Sequence, residues 1–282
     1  MNNPAKKKCC VLIPYFNAGE SLISSIDSVD HNSFSPDIIV VDDGSKLFSA
    51  ADALKKYSGP LTIKLVEMQK NQGIEHALNK GLQIYGADYE YIARLDCGDL
   101  CKSERIKKQI EFFELNKEFH LIGSWVDFVT MKGEHLFTLR QPESFETIKN
   151  KMFLNATFTH PSIMFRSSIL EKTGYYPIDA PAAEDYAFFF NIIKHYTASN
   201  IQESLVSCTI DPNGISTKKR RIQIKSRIKI IIKNFNLNQY ALYGLLRSII
   251  LLYTPRKLTI FLNKIRNSEL TFKKTRRQQN NQ

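Results

Sequence analysis

Cysteine pairs of the kind that build disulfide frameworks or zinc sites are missing from this sequence. The five cysteines lie at positions 9, 10, 97, 101 and 208, without a Cys-x-x-Cys pair, and an odd number cannot all be bridged. Two of them fall in an apolar stretch that has the composition of a buried strand. The pattern excludes a disulfide-stapled protein and favours a reducing compartment.

The sequence also has no long apolar run. The basic segment Met1–Lys8 is followed by only a short apolar stretch before Pro14 and Asn17, which is not the pattern of a signal peptide. Residues 218–282 contain no uncharged run that approaches the roughly 20 residues of a membrane-spanning helix. We therefore expect a cytoplasmic protein.

Acidic residues are nearly missing from the last part of the chain. Residues 218–282 carry 17 Lys and Arg against one acid, Glu269, whereas residues 1–217 carry 22 bases and 27 acids. Aliphatic and aromatic residues are mixed with these bases, which is typical of amphipathic helices on an anionic bilayer. The sequence predicts a basic, amphipathic helical tail that binds the inner face of the cell membrane. A lid packed on the preceding domain is the alternative, and the continuous Ile and Leu disfavour a nucleic-acid arm.

The rest of the chain is large enough to form a full core. With 282 residues, of which 43% are hydrophobic, the sequence fits one large domain with an appendage better than two equal domains. We therefore predict a domain over residues 1–217, followed by the tail.

Three apolar runs in this domain end in polar side chains. They end at Pro14–Asn17, at Asp42–Ser45 and at Asp96–Asp99, and an amphipathic helical pattern follows each of them. This alternation predicts an α/β protein with a mainly parallel sheet flanked by helices. Because ligands bind at the carboxyl ends of such strands, we expect the three polar ends to converge on one crevice.

The acids of the third run, Asp96 and Asp99, predict a divalent cation site. A buried strand needs no acid for packing, and two carboxylates suit Mg²⁺ or Mn²⁺, which keeps other positions for water and a substrate diphosphate. An Asx turn after Leu95 is the alternative.

Six short segments carry a more specific signal: Ile13–Asn17, Val40–Ser45, Asn71–Leu82, Arg94–Asp99, His160–Ser162 and Glu184–Tyr186. In this order and spacing they resemble glycosyltransferase family 2, the inverting nucleotide-sugar transferases of GT-A fold. The resemblance covers about residues 8–217. It implies a Rossmann-like nucleotide-binding half, about residues 8–100, and an acceptor-binding half, about residues 101–217.

The first half holds the candidate donor pocket. Pro14, Tyr15 and Asn17 with Asp43 look like a base-binding pocket, in which Tyr15 packs beside a pyrimidine and Asp43 accepts a hydrogen bond from a ring N–H. These side chains favour uridine. The alternative for either acid, and above all for Asp42, is that it holds the turn through backbone hydrogen bonds.

Two weaker donor-site candidates are Gly73 and Asn79. A glycine allows the backbone to approach a nucleotide closely, and the family places this element beside the donor. A plain helix start is the alternative.

The cation motif departs from the family pattern. The family most often shows Asp-x-Asp, frequently followed by a further Asp, whereas here the second acidic position is Gly98. We expect Asp99 to be the direct ligand of Mn²⁺ or Mg²⁺, with Asp96 on the cation or the donor ribose. Arg94 pairs with Asp96 or with the donor.

Inverting transfer needs one base on the face of the sugar opposite the leaving diphosphate. We assign this role to Asp185, with Glu184 orienting it or the acceptor. The alternative is that both acids only complement a helix N-terminus. His160 borders the acceptor or simply breaks the chain between two elements.

The resulting prediction is a metal-dependent, inverting glycosyltransferase. It moves a sugar from a UDP-sugar to a hydroxyl of a glycan or glycolipid in bacterial surface polysaccharide or lipooligosaccharide synthesis. A nucleotidyltransferase is one alternative, but Pro14–Asn17 is not the Gly-rich phosphate loop that such an enzyme should have. A non-enzymatic membrane or nucleic-acid adaptor is another, which the Gly98 substitution keeps open.

Overall fold

A nine-stranded sheet organises the residues that the computed structural model describes, which are 6–32, 34–210 and 219–254. Along the sheet the strands follow the order β3-β2-β1-β4-β8-β6-β9-β5, and β7 pairs with β6. The strands are β1 (Lys7–Tyr15), β2 (Asp37–Asp42), β3 (Ile63–Glu67), β4 (Tyr89–Arg94), β5 (Leu100–Cys101), β6 (Phe119–Val129), β7 (His135–Leu139), β8 (Met164–Arg166) and β9 (Thr197–Thr209).

Helices cover both faces of this sheet. The seven that precede residue 210 are α1 (Ser21–Asp27), α2 (Ala50–Leu54), α3 (Ile74–Tyr85), α4 (Arg105–Leu115), α5 (Phe145–Met152), α6 (Leu170–Thr173) and α7 (Glu184–Ile193). Two more, α8 (Arg220–Lys233) and α9 (Gln239–Tyr253), form a hairpin in the basic tail. The predicted α/β fold with flanking helices is confirmed.

The parallel part of the sheet lies in the first half of the chain. Strands β3, β2, β1 and β4 are parallel neighbours, and the register sets Tyr15 beside Asp42 at the carboxyl edge. In the second half, β8 runs antiparallel to both β4 and β6, whereas β6 and β9 are parallel. The sheet as a whole is mixed but mainly parallel, as expected: β3-β2-β1-β4 and the long β6–β9 pair are parallel, whereas the antiparallel pairings made by β5, β7 and β8 are short.

Side-chain alternation along β1 divides the core between the two faces of the sheet. Cys10 and Leu12 pack in the cluster under α3 and α7, whereas Val11, Ile13 and Tyr15 pack in the cluster on the other face. Gly81 lets α3 approach closely, because a Cβ there would lie 2.6 Å from Leu12 Cδ1 and 2.9 Å from Val41 Cγ2. A larger residue at position 81 would push α3 and the loop before it away from the strand ends.

The helical hairpin of the tail packs against the second half of the domain. Ser226 Oγ donates to the Pro181 carbonyl at 2.8 Å, and the guanidinium groups of Arg227 and Arg247 both donate to the Leu154 carbonyl. Gly244 permits this contact, since a Cβ would lie 2.1 Å from the Phe153 carbonyl oxygen. The packing agrees with the lid interpretation for residues 219–254, while the remaining tail residues, 218 and 255–282, lie outside the described part. Within the described ranges, no helix is long and apolar enough to cross a membrane.

Candidate active site

Asp42 organises the turn that follows β2. Its Oδ1 accepts the backbone N–H of Ser45 at 2.9 Å, and its Oδ2 accepts that of Ala50 at 2.8 Å. The side chain is buried, and both oxygens are used. Asp42 therefore has the turn-holding role that the sequence left open for it.

Asp43 points the other way, toward the loop before α3. Its two carboxylate oxygens accept the backbone N–H groups of Gln72 at 2.8 Å and Gly73 at 2.9 Å. Gly73 has a φ of 108°, a conformation that favours glycine. Burial raises the pKa of Asp43, although these two hydrogen bonds act to lower it. Each oxygen keeps a second lone pair, so a hydrogen bond to a nucleobase stays a prediction.

Tyr15 and Asn17 build the loop around the pocket. The Tyr15 ring is 1% exposed, and its hydroxyl donates to the Phe48 carbonyl at 2.8 Å and accepts from the Gly19 N–H at 2.9 Å. The prediction that Tyr15 packs beside a pyrimidine is wrong for this structure, because alternation along β1 turns the ring into the core. Asn17 Oδ1 accepts from the backbone N–H groups of Lys46, Leu47 and Phe48, so Asn17 shapes the loop; Pro14 is half-buried next to it.

Asn79 has a different role from the one predicted. Its Nδ2 donates to the Tyr176 carbonyl and its Oδ1 accepts the Tyr176 N–H, both at 2.8 Å, and the side chain is buried. With both ends of its amide engaged, Asn79 is not a donor contact. It ties α3 to the segment that leads into α7.

Arg94 lies beneath the crevice and is 1% exposed. Its guanidinium donates to Asp96 Oδ1 and to the Leu95 carbonyl, which confirms the predicted Arg94–Asp96 pair. Arg94 Nε has no hydrogen-bond partner among the described residues. Desolvation at the strand end opposes the ionisation of Asp96, but the charge and the hydrogen bond of Arg94, with a contribution from His160, together outweigh it and lower the pKa of Asp96.

Asp99 faces the end of β9. Its Oδ1 accepts the Thr209 N–H at 3.0 Å, and the side chain is 8% exposed. Burial, with the nearby Asp96 charge, raises the pKa of Asp99 to about 7. Gly98, with a φ of 96°, turns the chain between the two acids, and its N–H donates to Ser25 Oγ. The structure therefore does not support Asp99 as the direct cation ligand.

The fit of a divalent cation depends on Asp96. Across residues 6–32, 34–210 and 219–254, no three His, Cys, Asp or Glu side chains are grouped to hold a metal ion. Asp96 is the acid of this segment with a substantially exposed side chain, 38%, and one of its oxygens is not engaged by Arg94. Mg²⁺ and Mn²⁺ sites often use one or two carboxylates plus substrate phosphates and water. The residues therefore fit such an ion with Asp96 as the ligand and a diphosphate as its main partner.

The acids of α7 lie within electrostatic reach of Arg94 and Asp96, and α7 would form the other wall of the predicted crevice. Glu184 is buried, and its Oε2 finds no hydrogen-bond partner in the part of the chain that the structure describes. Burial, with the neighbouring Asp185 charge, raises the pKa of Glu184 to about 8. Burial also raises the pKa of Asp185, although its Oδ1 accepts the Tyr186 N–H at 2.6 Å. Both acids lie in the first turn of α7, where the helix dipole stabilises negative charge.

His160 is buried within electrostatic reach of Arg94 and Asp96. It is buried at the start of a short 3₁₀ turn, and its Nε2 lies 2.9 Å from the Tyr176 hydroxyl. Burial and the Arg94 charge lower the pKa of His160 to about 3, so the ring is neutral. Its contact is with Tyr176, and direct binding of an acceptor by His160 stays a prediction.

The structure brings most of the predicted residues within electrostatic reach of one another, around the crevice that the sequence predicts. The charges of Arg94 and Asp96 act on His160 and Asp185, and the charge of Glu75 acts on both Asp43 and Glu184. Sequence reasoning missed Tyr176, whose ring stacks on Phe188 of α7 with centroids 4.1 Å apart. No motif marks Tyr176, because its partners are distant in sequence.

Comparisons with known proteins agree with this geometry. The model of the family described as Glycosyl transferase family 2 matches residues 10–174. The amylovoran biosynthesis glycosyltransferase AmsE of Erwinia amylovora is 27% identical over 261 residues, which are 89% of this chain and 96% of the relative. The UDP-Gal:alpha-D-GlcNAc-diphosphoundecaprenol beta-1,3-galactosyltransferase of Escherichia coli is 27% identical over 215 residues, 74% of this chain and 75% of the relative. The bifunctional glycosyltransferase pgtA of Dictyostelium discoideum is 28% identical over 77% of this chain, which spans only 34% of that longer protein.

Solved structures share the fold at lower identity. Staphylococcus aureus TarS 1-349 in complex with UDP-GlcNAc has a TM-score of 0.64 at 16% identity, covering 84% of this chain and 69% of TarS 1-349. The mannosyltransferase PcManGT from Pyrobaculum calidifontis, in complex with GDP-Man and Mn²⁺, has a TM-score of 0.62 at 16% identity, covering 95% of this chain and 81% of that one.

Proposed function

The chain belongs to glycosyl transferase family 2 and is a glycosyltransferase, and we propose that it is an inverting enzyme that moves a sugar from a UDP-sugar to a hydroxyl of a glycan or glycolipid. One observation carries the proposal. Two acids at the start of α7, the buried Glu184 and the half-buried Asp185, face the predicted crevice that also holds the Arg94–Asp96 pair at the end of a sheet strand. Such an arrangement offers a proton acceptor on the side of α7 and, on the other side, a carboxylate that could hold a cation bound to the donor diphosphate.

Asp185 is the proposed general base. A raised pKa brings a carboxylate closer to the proton affinity of the hydroxyl that it must deprotonate. In the transfer step Asp185 takes the acceptor hydroxyl proton. The acceptor oxygen forms a bond to the sugar C1 as the bond from C1 to the diphosphate oxygen breaks, and the electron pair leaves with the diphosphate.

Glu184 is the proposed orienting residue. With its pKa at about 8, it carries a proton at neutral pH, so its carboxyl can donate a hydrogen bond. Its unpartnered Oε2 supports a contact with a sugar hydroxyl of the donor or the acceptor. Glu184 would then hold the reacting groups in line with Asp185 without competing for the proton.

The Arg94–Asp96 pair is the proposed diphosphate side of the site. A divalent cation, Mn²⁺ or Mg²⁺, supplies Lewis-acid neutralisation of the charge on the departing diphosphate when it is bound, and Asp96 is the residue that would hold it. The buried Arg94 keeps Asp96 ionised and fixes the direction of its carboxylate.

Relatives support the substrate classes. One relative is named for a UDP-galactose donor and a diphosphoundecaprenol-linked acceptor, another for amylovoran biosynthesis, and a structural neighbour was solved with UDP-GlcNAc. These names support our proposal that the enzyme acts in surface polysaccharide or lipooligosaccharide synthesis. Its location would be peripheral, on the inner face of the cell membrane, where a glycolipid acceptor lies.

The test is release of UDP from a panel of UDP-sugars, with and without Mn²⁺ and with a polyprenyl-diphosphate sugar as acceptor. We expect UDP release with at least one sugar, faster with acceptor and with Mn²⁺, and a product of inverted anomeric configuration. Retained configuration would remove the role of Asp185. Release of pyrophosphate from a nucleoside triphosphate and a sugar phosphate would instead identify a nucleotidyltransferase, and no turnover of any substrate would favour the adaptor alternative.

A further inference from the structure

Helix α9 carries an exposed apolar arc that faces away from the domain. Its six members are between 40% and 80% exposed, and they are Leu242, Tyr243, Leu246, Ile249, Ile250 and Tyr253. At 100° per residue these positions span an arc of about 120° on the helix surface. Gln239, in the first turn, is the polar side chain within this arc, and from Leu242 to Tyr253 the exposed arc contains only aliphatic and aromatic residues. Such an apolar arc is unusual for a helix that faces only water.

The opposite side of α9 is fixed to the protein. Ala241, Gly244 and Ser248 are buried there, and Asn238 Oδ1 caps the helix by accepting the Ala241 N–H at 2.7 Å. The arc therefore has a fixed direction relative to the catalytic domain, because the packed side of α9 cannot turn outward without leaving its place against Phe153.

Helix α8, the partner of α9 in the hairpin, presents a basic stripe. Its exposed side chains include Arg221, Lys225, Lys229 and Lys233, which recur at the spacing of one helix face. Residues 219–254 contain eight Lys and Arg and no acid. The hairpin thus combines an apolar arc with a uniformly positive neighbour.

We propose that the apolar arc of α9 and the basic stripe of α8 form a docking face for an anionic lipid bilayer. The α9 side chains enter the interface between headgroups and acyl chains, and the α8 bases bind lipid phosphates. This docking face would be the structural basis of the peripheral membrane location that is part of the proposed function. Its biological purpose rests on that proposed function. It also combines both sequence interpretations of the tail: one side of the hairpin packs on the domain, and the other binds lipid.

Charge decides between the bilayer and other occupants. A second copy of the chain would bring a face with the same positive charge, and like charges oppose such a pairing. A nucleic acid would use the bases but would leave the six apolar side chains in water. An anionic bilayer satisfies both the charge and the apolar arc. With 15 residues, or roughly 22 Å at 1.5 Å per residue, α9 is long enough to lie on the bilayer and too short to cross it.

The experiment measures binding of the full chain to vesicles of phosphatidylglycerol and phosphatidylcholine, and to vesicles of phosphatidylcholine alone. The test variant Leu246→Glu/Ile250→Glu places two acids in the arc at exposed positions, so the fold should persist. The matched control Leu115→Glu changes a leucine that is 83% exposed on α4, outside the face. A Lys225→Ala/Lys229→Ala variant tests the basic stripe.

We expect the wild type to bind anionic vesicles more tightly than neutral ones, and salt to weaken that binding. Leu246→Glu/Ile250→Glu should weaken it by at least about tenfold, whereas Leu115→Glu should bind like the wild type. Lys225→Ala/Lys229→Ala should reduce mainly the salt-sensitive part of the binding.

Three outcomes would overturn the docking face. The first is equal vesicle binding by the arc variant and the Leu115→Glu control. The second is the absence of a preference for anionic vesicles. The third is a dimer, seen by sedimentation, that the arc variant disrupts while its vesicle binding stays unchanged. Release of UDP from a soluble substrate separates this test from the proposed function. The arc variant should keep that activity in full, so a loss of vesicle binding alone concerns only the docking face.

Discussion

The acids on the two sides of the predicted crevice differ in how completely their carboxylate oxygens are hydrogen-bonded. On the nucleotide side, Asp42 and Asp43 each use both carboxylate oxygens to accept backbone N–H groups. On the proposed acceptor side, Glu184 keeps a buried oxygen without a partner among the described residues, and burial raises the pKa of both Glu184 and Asp185. The first pair shapes a pocket, whereas the second pair is left available for a substrate. Buried carboxylates without full pairing cost stability, so their presence points to chemistry.

Asp185→Asn should give the largest effect on this comparison. The amide cannot accept the acceptor proton, so transfer should slow by about 100-fold or more, while UDP affinity stays unchanged. Single-turnover transfer and calorimetric titration with UDP measure the two quantities. Near-normal transfer by Asp185→Asn together with loss of transfer by Glu184→Gln would exchange the roles of the two acids.

Asp43→Ala should weaken UDP binding by about tenfold. The substitution removes the acceptor of the Gln72 and Gly73 N–H groups, and with it the predicted partner of the nucleobase. Titration with UDP and with GDP measures the effect, and the wild type should prefer UDP. Equal affinity for both nucleotides, or unchanged binding by the variant, would show that Asp43 only builds the loop, as Asp42 does.

Glu184→Gln should change the pH dependence of stability. Because the pKa of Glu184 is raised to about 8, the stability that its protonated form contributes is complete below its ordinary pKa of 4.5 and is lost as the pH rises through about 8. When the pH is raised from about 5 to about 9, the unfolding free energy of the variant should therefore increase relative to that of the wild type by on the order of 1–3 kcal/mol. Urea titrations at both pH values test this. A constant difference would mean that Glu184 is ionised throughout.

Tyr176→Phe should give the smallest effect. It removes the hydroxyl that lies beside the buried His160 Nε2, and should cost about 1 kcal/mol of unfolding free energy. Tyr175→Phe is the matched control, because Tyr175 is exposed next to it. If both variants unfold at the same urea concentration, the hydrogen bond between the Tyr176 hydroxyl and His160 contributes nothing to stability.

Much of the site could be predicted from the sequence because its motifs are local. The Arg94–Asp96 pair spans three residues at a strand end, and the acids of α7 begin an amphipathic helix, so chain connectivity alone brings each pair together. The buried position of the Tyr15 ring could also have been predicted. Period-two alternation from Val11 through Ile13 already turns its side chain toward the core.

Other roles depend on residues that are far apart in the sequence. Asn79 and Tyr176 are separated by 97 residues, and Asp99 and Thr209 by 110. No local pattern contains such a partner, so the sequence placed Asn79 at the donor and Asp99 on the cation, whereas the fold uses both as links between elements.

The sequence by itself determined the family, the α/β fold and the set of acids at the strand and helix ends, because these follow from short-range periodicity and motif order. The tertiary structure decided which of these acids are engaged by backbone N–H groups and which remain available. It also decided which side of the basic tail packs on the domain and which side faces outward. The physical reason is that hydrogen-bond satisfaction and burial depend on neighbours that only the packing of distant segments supplies.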